Sequence, residues 1–319
     1  MRTSSVTHWP GPRSIWTEAV DCISVQALLR YRAPQAVASV TLYNYFDRIS
    51  ILHLPEQAER FRSICGELLD LGCEITFPKV HVHYSSHPPD AHGFPSHGAY
   101  GNYRSHLAVL RAALQEKVQT LWVLEDDAIF SRVMLRNQEV ITEYLQRTDW
   151  DFCFFGHSLK LKARPQGFMA LPPQVEFIWA YSYAIRAQIL PRLIEYLELS
   201  MSLPAGHPQG GKIYIDAAYN LFRRFNPDVR ALAATPALCM QKGCVSSLSG
   251  PRWYDRPRST RPLLSLARRS RDYWWKISSG NGAFAGQRHS GNRPEPDGSP
   301  SCNPEPLLAS EAAKQQVHD

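Results

Sequence analysis

The sequence lacks most of the features that would assign a class at a glance. No apolar run approaches the roughly 18 residues needed to cross a bilayer. Met1 to Ser14 is polar and carries Trp9-Pro10-Gly11-Pro12, where a secretory signal would have an apolar centre. The expectation is a soluble or peripherally attached protein. The seven cysteines show no C-x-x-C spacing. An odd count without a framework predicts reduced thiols in a cytosol-like, cytoplasmic setting, and Cys65, Cys73 and Cys153 read as small buried hydrophobes. There is also no strong charge imbalance. The net charge of +6 does not point to nucleic acid, and much of it sits in one stretch, Arg252 to Lys276. Arg252, Arg256, Arg258, Arg261, Arg268, Arg269, Arg271 and Lys276 there face only Asp255 and Asp272. No internal repeat is visible.

What is present is an ordinary globular hydrophobic fraction of 44% and an alternation of strand-like and helix-like segments. Arg48 to Leu54 is a short apolar run stopped by Pro55, a buried strand. Glu56 to Leu71 spaces Ala58, Phe61, Ile64, Cys65, Leu68 and Leu69 as a helix ended by Gly72. Glu74 to Phe77 reads as a second strand, and this strand–helix–strand order predicts a parallel sheet. Residues 81–101 read as a long loop rich in His, Pro, Ser and Gly, of the kind usually kept for function. A helix follows from Ser105 to Lys117. Thr120 to Leu124 is the most strand-like stretch of the chain. Further on, Val133 to Arg147 reads as a helix and Asp151 to Phe155 as a strand. Phe177 to Ile185 is aromatic and extended, Ile189 to Leu199 and Ala217 to Phe225 are helical, and Arg230 to Cys239 is a final strand or two. Val20 to Tyr31 suits a short amphipathic helix. Residues 1–42 read as an N-terminal extension, 43–249 as the folded domain and 250–319 as a basic, Pro/Gly/Ser-rich tail, largely disordered from residue 278 onward.

The chemistry begins where the best strand ends, at Glu125-Asp126-Asp127. Ligand sites in open α/β sheets lie beyond the carboxyl ends of strands. Three consecutive acids there are costly unless neutralised, and oxygen ligands suit Mg²⁺ or Mn²⁺. Strand alternation would put Glu125 and Asp127 on one face and Asp126 on the other. The plain alternatives are a solvated acidic turn or a helix N-terminus that favours carboxylates.

Several segments, in order, resemble glycosyltransferase family 25, whose members act in lipopolysaccharide biosynthesis or collagen glycosylation, often as galactosyltransferases. The likeness opens at Tyr45-Phe-Asp-Arg-Ile49 and Leu52-His-Leu-Pro55, with Arg60 matching the last arginine of the family's first motif. Gly98-Ala-Tyr-Gly-Asn-Tyr-Arg-Ser-His106 resembles its G-x-x-G-C-x-x-S-H. Trp122-Val-Leu-Glu-Asp-Asp-Ala128 resembles its V-L-E-D-D-A. Asp151 to Gly156, Trp179 to Ile185 and Tyr214-Ile-Asp216 resemble later elements. The likeness spans about residues 43–245. It departs at His53, where the family has Asn, at Glu56-Gln57, where it has basic residues, and at Asn102, where it has Cys.

The resemblance implies an α/β, GT-A-like single domain with flexible termini: a mostly parallel, Rossmann-like sheet flanked by helices. It implies transfer of a hexose, galactose by default, from a UDP-sugar to a glycan or lipopolysaccharide-type hydroxyl, metal-assisted by Mn²⁺ or Mg²⁺ and inverting. The candidate roles are Leu54, Arg60, His106, Glu125 and Asp126 against the donor, Asp127 as the firmer metal ligand with Glu125 or Asp126 assisting and the pair Glu125 and Asp127 preferred, and Asp216 as the general base. Each residue also has a plainer reading. Asp216 is a helix cap, His106 a buried hydrogen-bonded histidine beside a capping Ser105, and Arg60 a solvated helix residue. The histidines of the 81–97 stretch (His81, His83, His87, His92 and His97) lack the helical spacing of a zinc site. Trp179, Tyr181 and Tyr183 alternate, so at most part of that set can be a stacking platform and the rest is core. The basic tail interleaves arginines with Trp253, Tyr254, Tyr273, Trp274 and Trp275, which suits peripheral contact with an anionic membrane or a solvated strip. The rival classes are a metal-dependent nucleotidyl or phosphoryl transferase, a non-catalytic nucleotide-sugar or glycan-binding relative, and a nucleic-acid binder acting through the tail.

Overall fold

The computed structural model describes residues 41–73, 75, 79–159, 167–243 and 261–278. The strand expected at Glu74 to Phe77, the helix at Val20 to Tyr31 and the chain beyond residue 278 lie outside them. The first βαβ unit comprises β1 (Arg48–His53), α2 (Ala58–Asp70) and β2 (Val80–Tyr84), preceded by a single turn, α1 (Leu42–Tyr45). Next come α3 (His97–Gln115), β3 (Thr120–Glu125), β4 (Ala128–Phe130), α4 (Arg132–Arg136), α5 (Gln138–Arg147) and β5 (Phe152–Phe154). β6 (Gly167–Ala170), β7 (Ser182–Arg186), α6 (Leu190–Ser202), α7 (Ile215–Phe225), β8 (Ala231–Thr235), β9 (Cys239–Gln241) and α8 (Arg261–Ser278) complete the order.

Seven strands form one sheet in the order β2-β1-β3-β7-β5-β8-β6. β1 is parallel to both β2 and β3, and β5 is parallel to β8, while β7 and β6 run against their neighbours. Five strands therefore share one direction, a mixed and mostly parallel sheet. The period-2 rule of strands divides the core between its faces. On β3, Leu121 and Val123 join α3, α6 and α7 through Leu107, Leu110, Leu193 and Phe222. Trp122 and Leu124 join α1, α2 and α5 through Leu42, Ile64, Leu68 and Leu145. Burying each such side chain contributes roughly 1.5–3 kcal/mol, which makes β3 the spine of the domain.

Three sequence expectations are corrected here. The segment at 80–84 is a strand, not the start of a loop. Val80-His-Val-His-Tyr84 alternates with period 2 and pairs with Ile49 to His53, so His81 and His83 are sheet residues. α3 begins eight residues before Ser105. Its cap is Ser96, whose hydroxyl accepts from Ala99 N at 3.0 Å, whereas Ser105 lies mid-helix and donates to Gly101 O at 2.9 Å. The glycines of this first stretch hide its helicity, and Gly101 serves packing. A Cβ on Gly101 would stand 3.0 Å from the Ser86 carbonyl oxygen, so α3 closes directly onto the chain leaving β2. Third, the helix expected at 133–147 is two helices, broken at Asn137.

Candidate active site

α2 and α3 pack on opposite faces of the sheet, and the strand order reverses between β1 and β3. Such a reversal opens a crevice beyond the carboxyl ends of the two strands, where α/β sheets bind ligands. The acidic cluster stands there. A cleft of about 570 Å³, open to solvent, is lined by Leu52 and Leu54 after β1, Arg60 on α2, and Ser85, Ser86 and His87 after β2. Gly98, Gly101 and Asn102 of α3, Glu125, Asp126 and Asp127, and Gln241 of β9 complete the lining.

Strand alternation stops at Glu125, and the two aspartates lie in a turn. This corrects the expected pairing of Glu125 with Asp127 on one face. Glu125 is held from the α3 side. Asn102 Nδ2 donates to its Oε1 at 3.0 Å, and His106 Nε2 stands 3.4 Å from the same oxygen. Behind it, His106 Nδ1 lies 3.0 Å from the Tyr183 hydroxyl, which lies 2.7 Å from the Tyr219 hydroxyl. With Glu125 ionised, Nε2–H is the donor. Nδ1 then accepts from Tyr183, and Tyr183 accepts from Tyr219. Burial alone would push the Glu125 carboxyl up, but His106, Asn102 and the Arg60 charge outweigh it and hold the group below its usual range.

Asp126 and Asp127 are held from the α2 side. Arg60 Nη1 lies 3.6 Å from Asp126 and 3.2 Å from Asp127, and the arginine itself is nearly buried. Asp126 also meets His53 Nδ1 at 2.7 Å and Leu54 N at 3.4 Å, and His53 stacks on Phe61 of α2. Asp127 accepts from Gln241 Nε2 at 3.1 Å. That contact exists because β4 and β9 form a short antiparallel ribbon placing Ala128 opposite Gln241. Burial and the neighbouring Glu125 charge push the Asp127 carboxyl up to about 7, although Arg60 pulls it down.

The structure thus gathers Leu54, Arg60, Glu125, Asp126 and Asp127 in one cleft. His106 lies fully buried behind Glu125 rather than on the lining. Asp216 sits in the first turn of α7 outside the lining, and its carboxylate accepts from Trp179 N and Ala217 N at 2.9 Å each. Burial pushes it above the usual carboxylate range, the backbone bonds oppose this, and the Glu125 charge adds to the rise. Of the aromatic set, Tyr181 and Tyr183 are core, whereas Trp179 is 50% exposed and its backbone takes φ +74°.

Sequence reasoning missed three partners of the acids: His53, Asn102 and Gln241. A signal existed for two of them, because His53 and Asn102 both depart from the motifs that the sequence otherwise resembles, and each bonds one of the acids directly. Gln241 is joined to Asp127 only through strand pairing and left no local mark. The loop histidines are dispersed: His87 pairs with Glu56 at 2.7 Å and His97 Nδ1 lies 3.2 Å from the Pro88 carbonyl.

No protein-family model matches the sequence, and no curated protein matches it. Among solved structures, a glycosyltransferase involved in the glycosylation of the major capsid of PBCV-1 aligns over 72% of this chain and 100% of its own, at 14% identity and a TM-score of 0.40. A197 from STIV aligns over 59% and 82% respectively, at 15% identity and a TM-score of 0.30. Mannose-1-phosphate geranyltransferase from Thermus thermophilus aligns over 58% of each chain, at 12% identity and a TM-score of 0.30. Likenesses this distant carry no argument about chemistry, which has to come from the cleft itself.

Proposed function

We propose that residues 43–249 form a nucleotide-sugar-dependent glycosyltransferase of GT-A-like type, related to family 25. It transfers a hexose, galactose by default, from a UDP-sugar to a hydroxyl of a glycan or lipopolysaccharide-type acceptor. The observation that carries this reading is the placement of three carboxylates at the switch point of the sheet, opposite the first turns of α3. A helix N-terminus presents backbone N–H groups to an anion. Gly98 and Gly101 stand on the lining there, and Arg60 adds a guanidinium suited to phosphate oxygens.

The donor set fits a divalent cation shared with the substrate. Three carboxylates face one guanidinium, so a diphosphate entering alone meets a net negative lining. Among the described residues no group of three or more His, Cys, Asp or Glu side chains is arranged to hold a metal unaided. Magnesium-like ions, however, need only one or two carboxylates and take their other oxygens from substrate phosphates and water. Glu125 and Asp127 would supply those carboxylates, and the ion would neutralise charge developing on the departing diphosphate. Asp126, fixed by His53, Leu54 N and Arg60, positions the turn and faces the donor. Leu54 contributes apolar lining and His106 orients Glu125.

In an inverting transfer a carboxylate takes the acceptor hydroxyl's proton as the sugar carbon is attacked. Asp216 is assigned this role. Burial raises its proton affinity, and the Glu125 N–H···O=C Tyr181 bond at 2.9 Å ties the Trp179–Tyr181 segment it braces to the cluster. The half-exposed Trp179 ring beside it suits the apolar face of an acceptor sugar.

The test is a panel of nucleotide sugars with Mn²⁺, Mg²⁺ or EDTA, scored for nucleotide release and for protection against thermal unfolding. Metal-dependent UDP release from one donor, lost in Asp127→Asn, is the expected result. Release of pyrophosphate would instead indicate a nucleotidyl transferase. A second reading, a binding relative without turnover, is favoured by one observation: Arg60 already pairs with both aspartates. Protection by a donor without release of nucleotide would establish it.

A further inference from the structure

Helix α8 departs from the usual amphipathic arrangement, with apolar groups on both of its sides. A surface helix of a soluble domain normally turns its apolar stripe inward and its charges outward. Here the less exposed positions are Leu264, Arg268, Asp272, Trp275 and Lys276, so charges as well as apolar groups are turned toward the domain. Lys276 Nζ bonds Glu67 at 2.9 Å and lies 3.5 Å from Asp70, both on α2. Asp272 accepts from Gly243 N at 3.0 Å, and Arg271 Nη2 donates to Gln241 O at 3.3 Å. The opposite face carries Leu266, Tyr273 and Trp274, which are 63%, 62% and 66% exposed. Positions 266, 273 and 274 share one side at i, i+7 and i+8 spacing, with exposed Arg269 beside them. Polar contacts help fix the helix to the domain, and an aromatic stripe is left in water.

We propose that this outer face of α8 docks on an anionic lipid surface. Large contiguous exposed apolar groups mark contact sites, and the chemistry of this one selects the partner. Tyr and Trp beside Leu, flanked by arginine, is the composition of a helix lying in the headgroup region, where amphipathic rings meet the interface and guanidinium groups meet lipid phosphates. The local charge agrees. The helix has five basic residues and a single aspartate, and Arg252, Arg256 and Arg258 precede it directly in sequence. No helix among the described residues is long and apolar enough to cross a membrane, so the contact is peripheral. Docking also reaches the cleft, because α8 grips Gln241 and Gly243 and Gln241 holds Asp127. This inference is independent of the reaction assigned to the cleft.

The experiment is co-sedimentation of the full chain with vesicles of phosphatidylcholine alone or mixed with phosphatidylglycerol. Binding to the anionic vesicles that weakens with added salt is expected. Leu266→Ser, Tyr273→Ser and Trp274→Ser combined should cut it more than tenfold without lowering the melting temperature, because these side chains touch solvent rather than core. Arg269→Gln should cut it about fivefold, corresponding to about 1 kcal/mol for one basic group near the surface. Brominated lipids should quench wild-type fluorescence more than that of Trp274→Phe. The proposal fails if the chain stays with the supernatant in every mixture, if the triple variant binds as wild type does, or if neutral vesicles bind equally well. It also fails if the triple variant abolishes a concentration-dependent dimer that never binds vesicles, which would make the face a contact between copies of the chain.

Discussion

On the α3 side of the cleft, Glu125 is held by hydrogen-bond donors arranged in depth, from Asn102 and His106 at the carboxylate back to Tyr183 and Tyr219 in the core. On the α2 side, Asp126 and Asp127 share one guanidinium. The first arrangement satisfies a single charge several times over. The second sets two buried carboxylates against one arginine, with His53, Leu54 N and Gln241 as further partners, and burial together with the neighbouring Glu125 charge still raises the Asp127 carboxyl to about 7. A site built only for stability would resemble the first half throughout. On the proposed reading, the aspartate half is where a cation or a ligand would add the opposing charge.

The largest expected effect comes from removing the excess charge. Asp127→Asn keeps the shape and the Gln241 contact but deletes a carboxylate. Transfer should fall by on the order of a thousandfold, the scale of a lost electrostatic stabiliser. Stability at pH 8 in EDTA should rise by about 1 kcal/mol, as at other sites where function costs stability. Urea unfolding decides the point. A loss of stability would show that Asp127 anchors the fold and would dissolve the contrast between the two halves.

Arg60→Met attacks the same half from the other side. Retaining the stem and removing the charge leaves Asp126 and Asp127 facing each other, a loss of about 3 kcal/mol for a broken buried pair. Donor affinity should fall more than tenfold. Combining it with Asp127→Asn should restore part of the stability, and additivity in that cycle would mean the two residues do not interact.

How much of this could be read before the structure depends on how local the cause was. β1, β3 and the acids at the end of β3 were legible because an unbroken apolar run stopped by polar residues has one reading at the centre of a sheet. α2 was legible from its 3.6-residue spacing and Gly72, which takes φ +73°. β2 was missed because histidines at alternate positions resembled a loop, although the alternation itself was the strand signal. The start of α3 was missed because Gly98 and Gly101 lower helix propensity locally, and Gly101 is required by a contact with Ser86 that no local pattern shows. The third case, the partition of the acids, needed pairings over long separations: His53 with Asp126, Asn102 with Glu125 and Gln241 with Asp127. No window of sequence contains those pairs. The outer face of α8 was half legible. Its aromatics and arginines stood out as composition, but which of them face the domain follows from contacts with Glu67, Asp70 and Gly243.

On the well-satisfied side, Tyr183→Phe should destabilise without touching the acids. It removes one hydroxyl and leaves two buried groups without a partner, His106 Nδ1 and the Tyr219 hydroxyl. At about 1–3 kcal/mol for a stranded buried group, a loss of about 2 kcal/mol is expected in urea unfolding. Tyr219→Phe, which strands nothing further along the chain of donors, should cost about half as much. Equal costs would mean that the proton order runs the other way, from Tyr183 to Tyr219.

The smallest effect concerns a histidine outside the cleft that is held at both of its ring nitrogens. His157 Nε2 donates to Ala234 O at 2.7 Å, and its Nδ1 accepts from Leu159 N at 3.2 Å. The fold therefore fixes the neutral tautomer, and burial holds the group below its usual pKa of 6.5 although the Ala234 carbonyl opposes this. The unfolded chain binds the extra proton first, so the stabilising contribution of this group is complete above about pH 6.5 and is lost as the pH falls below that value. The slope from one such group cannot exceed about 1.4 kcal/mol per pH unit. His157→Asn, whose side-chain oxygen can take the place of Nδ1, should make the loss between pH 6.5 and 5 shallower while leaving the plateau near pH 8 within about 1 kcal/mol of wild type. An unchanged acid slope would transfer the effect to His83, whose pKa burial also lowers. His83 lies on the edge strand β2, two residues before the cleft-lining Ser85, so the acid-sensitive point of the domain would then sit beside the cleft.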